Sequence, residues 1–235
     1  MMGGTFDKET KQGLTRWLVR EYMGVIIVAV SLFWLAGRWD WFWGWSLVVI
    51  YLLWTSANTL LLWRRAPDLL IERATRHKDV EQWDILIMSI VGLVTLAKHI
   101  VAGLDERYSW SGDFPASMHT AMWLLAAGGY ALGTWAMLSN AYFATINRIQ
   151  NERGHEVARG GPYRFVRHPA YSGVVLFELA TPLLLGSWWA LIAGVLNAVL
   201  MVVRTALEDR SLQEDLPGYE AYCGKTKYRL LPGVW

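Results

Sequence analysis

Cysteine is nearly absent: Cys223 stands alone, which excludes an internal disulfide and a cysteine-based structural zinc site. Charge is also scarce. Asp, Glu, Lys and Arg make up 18% of the 235 residues, below the ~25% of an average globular chain. A formal net charge of +2 and the lack of a long Lys/Arg block give the chain no arm for nucleic acid, so no nucleic-acid partner is expected. Missing too are a Ser-His-Asp set, a P-loop, an HExxH motif and a GxGxxG after a strand. Conventional nucleotide folds are thereby excluded, and whatever binds must sit between helices. The nearest companions of His168 are His155 and Cys223, at no recognised metal-ligand spacing, so no metal is expected. No cleavable signal peptide is expected either, because Lys8, Lys11, Arg16 and Arg20 precede any apolar run.

What remains is apolar. Hydrophobic residues are 54% of the chain and include 15 Trp. Charge is confined to short segments, leaving apolar runs of about 20 residues, enough to cross ~30 Å of hydrocarbon. The expected fold is all-α: a polytopic membrane helix bundle of four spans, a C-terminal helical hairpin and a cytoplasmic cofactor-binding segment. Thr5 to Tyr22 reads as an amphipathic helix on the membrane face, with Leu14, Trp17, Leu18 and Tyr22 at helical spacing. Spans follow at about Tyr22–Gly37, Phe42–Trp63, Trp83–Gly103 and Ser117–Phe143, with a charged loop from Ala66 to Gln82. Trp39, Trp41, Trp43 and Trp45 read as an interfacial aromatic belt. Val174–Leu185 and Trp188–Leu212, broken at Gly186-Ser187, form the hairpin, each arm short for a full crossing. Residues 1–139 and 140–235 divide the chain into an N-terminal membrane part and a functional core.

Lys and Arg crowd the N-terminal segment, the loop after the second span and the central stretch, against only Arg38 and Arg107 in the other two loops. That alternation sets both termini and the central stretch in the cytoplasm. The hairpin then dips in from that face and returns to it.

The central stretch is Gln150 to Gly173, QNERGHEVARGGPYRFVRHPAYSG. It is too polar for hydrocarbon. Gly160-Gly161-Pro162 and His168-Pro169 are turn chemistry, able to present backbone N–H groups, imidazole and phenol to a ligand. On the last helix Arg204 and Glu208 lie four apart on one face. They form either an intrahelical ion pair worth ~0.2–0.5 kcal/mol or a ligand fork, since arginine at membrane depth is expensive. Glu178 is either a buried acceptor or a pocket group. His119 and Asn140 are expected to bond across helices, and Lys98 and His99 to snorkel towards Asp105 and Glu106.

GPYRFVRHPAYSG at Gly161–Gly173, an apolar hairpin and RTALED at Arg204–Asp209 together resemble the isoprenylcysteine carboxyl methyltransferases, which are related to the membrane phospholipid methyltransferases. GYEAY and YRLLPGVW resemble that family's C-terminal segment. The resemblance covers Asn140 onward and implies an integral membrane enzyme using S-adenosylmethionine on a lipophilic or prenylated acceptor. It implies cofactor contacts at Gln150, His155, Glu156, Val157, Ala158, Tyr163, His168, Pro169, Ala170, Tyr171 and Glu208. It implies a substrate-holding role for Arg204, with Arg204 and Glu208 as the catalytic pair. Asp209 departs from the second Glu common in the family. The alternatives are a methyltransferase acting on phospholipid or another small lipophile, and a membrane transporter or scaffold without catalysis.

Overall fold

In a computed structural model, which describes residues 8–75 and 80–235, the regular elements are all helical. They are α1 (Lys8–Ala36), α2 (Phe42–Arg65), α3 (Pro67–Ala74), α4 (Gln82–Tyr108), α5 (Ala116–Leu138), α6 (Pro169–Leu184), α7 (Trp188–Asp215) and α8 (Tyr219–Lys225). Two 3-10 turns, Asn151–Arg153 and Gly161–Arg164, interrupt the long α5–α6 connection. Among the described residues, five helices (α2, α4, α5, α7 and Thr10–Ala36 of α1) are long and apolar enough to cross a membrane. The outward faces suit lipid: Trp34, Leu93 and Ile192 are all exposed. The protein is a multi-pass helical membrane bundle.

Several boundaries differ from those expected. The amphipathic segment and the first span are one continuous helix, since neither Pro nor a turn sequence lies between Lys8 and Ala36. Residues 5–7 lie outside the described region. Leu14 and Trp17 do not face headgroups; they pack with Leu69 and Leu70 of α3, Leu62 and Met137. The loop expected from Ala66 to Gln82 contains α3, started by Pro67 at a first-turn position where no donor is lost; residues 76–79 of that loop lie outside the description. In the tryptophan belt, Trp39 and Trp45 are exposed, but Trp41 is buried and Trp43 stacks on His119 at 4.6 Å. The fourth span stops at Leu138, so Asn140 belongs to the following turn, where its Oδ1 accepts from the Tyr142 N–H (2.9 Å).

The hairpin reaches right through the bundle. Its second arm, α7, has 28 residues, about 42 Å of helix. At its tip Gly186 adopts φ +76° against the His119 ring. His119 Nδ1 lies 2.7 Å from the Leu184 carbonyl oxygen, the cross-helix bond expected of it. Ser187 Oγ donates to Asp105 (2.5 Å), and Ser111 Oγ accepts from Trp188 N–H (2.9 Å). The tip therefore seals against the α4–α5 end of the molecule, opposite to the central stretch.

Lys98 does not snorkel. About ten residues, or ~15 Å of helix, separate it from the end of α4, too far for its stem. It is fully buried and donates to Glu178 Oε2 on α6 at 2.7 Å. Asn197 of α7 donates to the same oxygen (2.9 Å) and to Thr95 (2.9 Å). His99 turns back to the Thr95 carbonyl at 2.7 Å. Glu178 is thus the buried acceptor pinning α4, α6 and α7 together. Backbones meet where side chains vanish: a Cβ on Gly173 would lie 2.3 Å from the Gly129 carbonyl, and one on Gly194 would lie 2.4 Å from the Glu178 carbonyl. These are the small-residue crossings that membrane helices use.

Candidate functional site

The central stretch folds as two tight turns. Gly154 (φ +64°) closes the first. Gly161 (φ +55°) opens the second and sits so close to Ser139 that a Cβ would clash at 2.3 Å from its Oγ. His168 stays outside the helix at φ −126°, as a residue before proline should, and Pro169 starts α6. The C-terminal segment binds the second turn along its backbone. Arg167 N–H and His168 N–H donate to the Tyr228 and Arg229 carbonyls, both at 2.9 Å. Tyr222 OH donates to the Tyr163 carbonyl (2.7 Å) and Ser172 Oγ to the Leu230 carbonyl (2.7 Å).

These turns and the C-terminal half of α7 line a partly open cavity. His155, Glu156, Val157 and Ala158 form one wall, and Tyr163, His168, Ala170 and Tyr171 another. Arg204 and Glu208 line it from α7. Gln150 and Pro169 do not. Gln150 is fully buried, donating Nε2–H to the Tyr142 carbonyl (2.8 Å) and accepting from Arg153. Its backbone N–H donates to His155 Nδ1 at 3.3 Å.

That last bond requires a lone pair on Nδ1. Burial, and then the Arg153 and Arg148 charges, push the His155 pKa below its usual 6.5, so the ring is neutral near pH 7. It leans on Tyr142 with centroids 4.6 Å apart.

Adjacent carboxylates on α7 point to different places. Glu208 faces the cavity, and its Oε2 accepts from Tyr171 OH at 2.5 Å. Asp209, fully buried, looks the other way, towards the C-terminal segment. It holds Arg167 (2.8 Å), Arg229 (2.8 Å), His168 Nε2 (3.1 Å), Tyr219 OH (3.0 Å) and Gln213 Nε2 (2.9 Å). His168 therefore donates from Nε2 into a fixed carboxylate while its face stacks on Tyr171 (5.7 Å, 3° between planes).

Arg204 makes no ion pair with Glu208. Its fork is taken by Asp84, in the first turn of α4, through Nε (2.6 Å) and Nη2 (3.2 Å), and Nη2 also donates to the Thr145 carbonyl (3.2 Å). Nη1 has no protein partner among the described residues, and the guanidinium sits 5.0 Å from the Tyr171 ring centroid. Sequence reasoning missed Asp84, which looked like an ordinary first-turn acid. It also missed Asn147, Arg148, Tyr219 and Tyr222 on the lining. The one available signal was an acid in the first turn of α4, level with the arginine of α7.

The chain matches the model of the isoprenylcysteine carboxyl methyltransferase family over residues 121–214. That stretch contains most of α5, both turns, α6 and most of α7. It is also 39% identical over 167 residues to the uncharacterized protein YpbQ of Bacillus subtilis (strain 168), an alignment covering 66% of this chain and 94% of that protein. The chain belongs to the isoprenylcysteine carboxyl methyltransferase family. With family membership comes membrane methyltransferase chemistry, and the transporter or scaffold alternative falls.

The donor set suits the family's cofactor. Cationic sulfonium and ammonium groups call for carboxylates, and Glu208 and Glu156 line the cavity. A carboxylate and ribose hydroxyls call for donors, and Asn147 Nδ2 lines it buried and without a partner among the described residues. An adenine calls for flat apolar surface, which Tyr142, Phe143 and Tyr222 supply.

Proposed function

We propose that the protein transfers a methyl group from S-adenosylmethionine, held in this cavity, to a lipophilic acceptor, most simply a carboxylate such as that of a prenylated cysteine. The observation that carries the reading is the cavity itself: nearly all the family-matched positions of the central stretch, and both Arg204 and Glu208, line one hollow. Loop charge supports a cytoplasmic site with both termini on that side.

The cofactor supplies a methyl already activated on sulfonium, so displacement by an ionised oxygen asks for neither metal nor covalent intermediate. The chain's task is alignment, an effect that can contribute ~7–11 kcal/mol. Glu208 provides a fixed negative charge, its orientation held by Tyr171. Neutral His155, Glu156, Val157 and Ala158 close the cytoplasmic wall. Arg204, locked by Asp84 and stacked on Tyr171, offers Nη1–H to the acceptor oxygen without quenching it, because the Arg204–Asp84 pair carries no net charge. No general base is required for an acid ionised at neutral pH.

Calorimetric titration of the detergent-purified protein with S-adenosylmethionine is expected to give one site per chain. Absence of binding at millimolar cofactor would overturn the proposal. Scintillation counting of base-labile methyl esters formed from labelled cofactor and lipophilic acids then tests the acceptor class.

A further inference from the structure

The short arm of the hairpin sets a depth. α6 has 16 residues, about 24 Å of helix, against ~30 Å of hydrocarbon. Its far end closes on Asp105 and His119, at the ends of two spans, where Trp43, Phe114 and Trp188 form an aromatic rim. Its near end, Pro169, therefore stops short of the opposite boundary instead of rising above it. Trp135 of α5 marks the same level. It is half-exposed, as an interfacial tryptophan is, and a Cβ on Gly161 would lie 3.0 Å from its Nε1. The second turn, and whatever is bound to it, thus sits at the boundary of the bilayer and not out in water.

What is bound there is the C-terminal segment. Its last residues close a loop: the Trp235 carbonyl accepts from Arg229 N–H (2.8 Å) and Leu230 N–H (3.2 Å). Pro232 and Gly233, the latter at φ +83°, make the bend. Leu230 is buried, whereas Leu231 and Val234 point outward, Val234 being 76% exposed. Phe165 and Tyr228, on the two paired backbones, are exposed as well. The base of the loop is fixed, because Arg229 Nε donates to Asp209 (2.8 Å) and its guanidinium lies 4.8 Å from the Trp235 ring centroid. Single exposed apolar residues are ordinary; four on one braced rim form a patch. Arg164, Lys225 and Lys227 are exposed on the same two segments and make no ion pair among the described residues. Between Leu216 and Trp235 the only acid is Glu220.

We propose that this rim is a membrane-seating surface: Phe165, Leu231 and Val234 enter the leaflet on the site's side, and Arg164, Lys225 and Lys227 contact anionic phospholipid headgroups. Apolar burial and headgroup charge are the two attractions that hold interfacial elements in place. A second copy of the chain could cover the same apolar side chains, but its cations would then face cations. Seating ties the cavity wall to the bilayer, since Arg229 and His168 share Asp209. The inference does not depend on the methyltransferase reading.

The test places a nitrobenzoxadiazole fluorophore on Val234→Cys of the full chain, with Cys223→Ser removing the lone natural thiol, in membranes of phosphatidylcholine and phosphatidylglycerol. Quenching by phospholipid with a nitroxide high on its acyl chain reads lipid contact. Leu93→Cys, on the exposed face of α4, is the lipid reference. Glu214→Cys is the water reference, because it lies 26 residues along α7 from the hairpin tip, about 39 Å and hence beyond the hydrocarbon. The Val234 probe is expected to be quenched several-fold more than the Glu214 probe and to emit to the blue of it. When only one lipid carries the nitroxide, phosphatidylglycerol should quench about fivefold more than phosphatidylcholine at equal abundance, the effect of one cation at an anionic surface. Arg164→Gln, Lys225→Gln and Lys227→Gln together should level the two lipids. A Val234 probe that matches Glu214 stands in water, and one that is blue-shifted but unquenched is covered by protein; either result overturns the proposal. Equal quenching by the two lipids with the three cations intact overturns the headgroup contact, and this comparison stands even if the triple variant misfolds. A phosphatidylglycerol preference that survives the triple substitution overturns it too.

Discussion

Glu208 and Asp209 are neighbours on one helix with opposite jobs, and isosteric amides separate them. Asp209→Asn removes the charge that holds Arg167 and Arg229. Arg167 is buried, and breaking a buried pair by removing one partner costs about 3–5 kcal/mol. At about 2–4 °C per kcal/mol for a chain of this size, Tm should fall by about 6–20 °C. Glu208→Gln, at a partly exposed side chain whose main partner is Tyr171 OH, should move Tm little. It should weaken cofactor binding instead: losing a charged contact of about 1.5–3 kcal/mol raises Kd roughly 10- to 100-fold. The lone cysteine, Cys223, is half-buried on α8 beside the Asp209 cluster. A thiol-reactive fluorogenic dye therefore reads unfolding at the relevant place, and calorimetry reads the cofactor. If Asp209→Asn melts within 2 °C of wild type by this rough scale, or Glu208→Gln binds cofactor normally, the division of labour drawn here is wrong.

Three further outcomes are expected. Glu178→Gln strands Lys98 in the bundle and should destabilise by about 3–5 kcal/mol, while Lys98→Met with Glu178→Leu should recover most of that; a double mutant no better than the single in dye-monitored melting would contradict the pairing. Below pH 6.5 the unfolded chain takes up a proton that the folded His155, with its lowered pKa, refuses. Stability should therefore decline as pH falls from 7, and His155→Asn should flatten that decline in melts across pH 5 to 7.5; an unchanged slope would contradict the assignment. Gly173→Ala drives a methyl to within 2.3 Å of the Gly129 carbonyl and should cost about 1–3 kcal/mol, whereas Gly128→Ala, which meets nothing within 4 Å, should melt like wild type.

The sequence spoke clearly where the signal was local. Apolar runs marked the helices, and the clustering of His155–Ala158, Tyr163, His168 and Tyr171 marked a loop that does line a cavity. It was silent where partners lie far apart. Asp84 and Arg204 are 120 positions apart, and nothing near Asp84 distinguishes it from an acid placed for the helix dipole. Lys98 looked like a residue bound for the interface because its partner, Glu178, sits 80 positions away. The length of α7 was obscured by its charged C-terminal half, which hydropathy discounts but the helix runs through.

Ultraviolet cross-linking of labelled S-adenosylmethionine to the purified protein, followed by mass-spectrometric mapping, tests the central claim most directly. Label is predicted on peptides carrying Tyr142, His155–Tyr171 or Glu208, and unlabelled cofactor should compete it away. Competable label confined to α1, α2 or the α4–α5 end would contradict it.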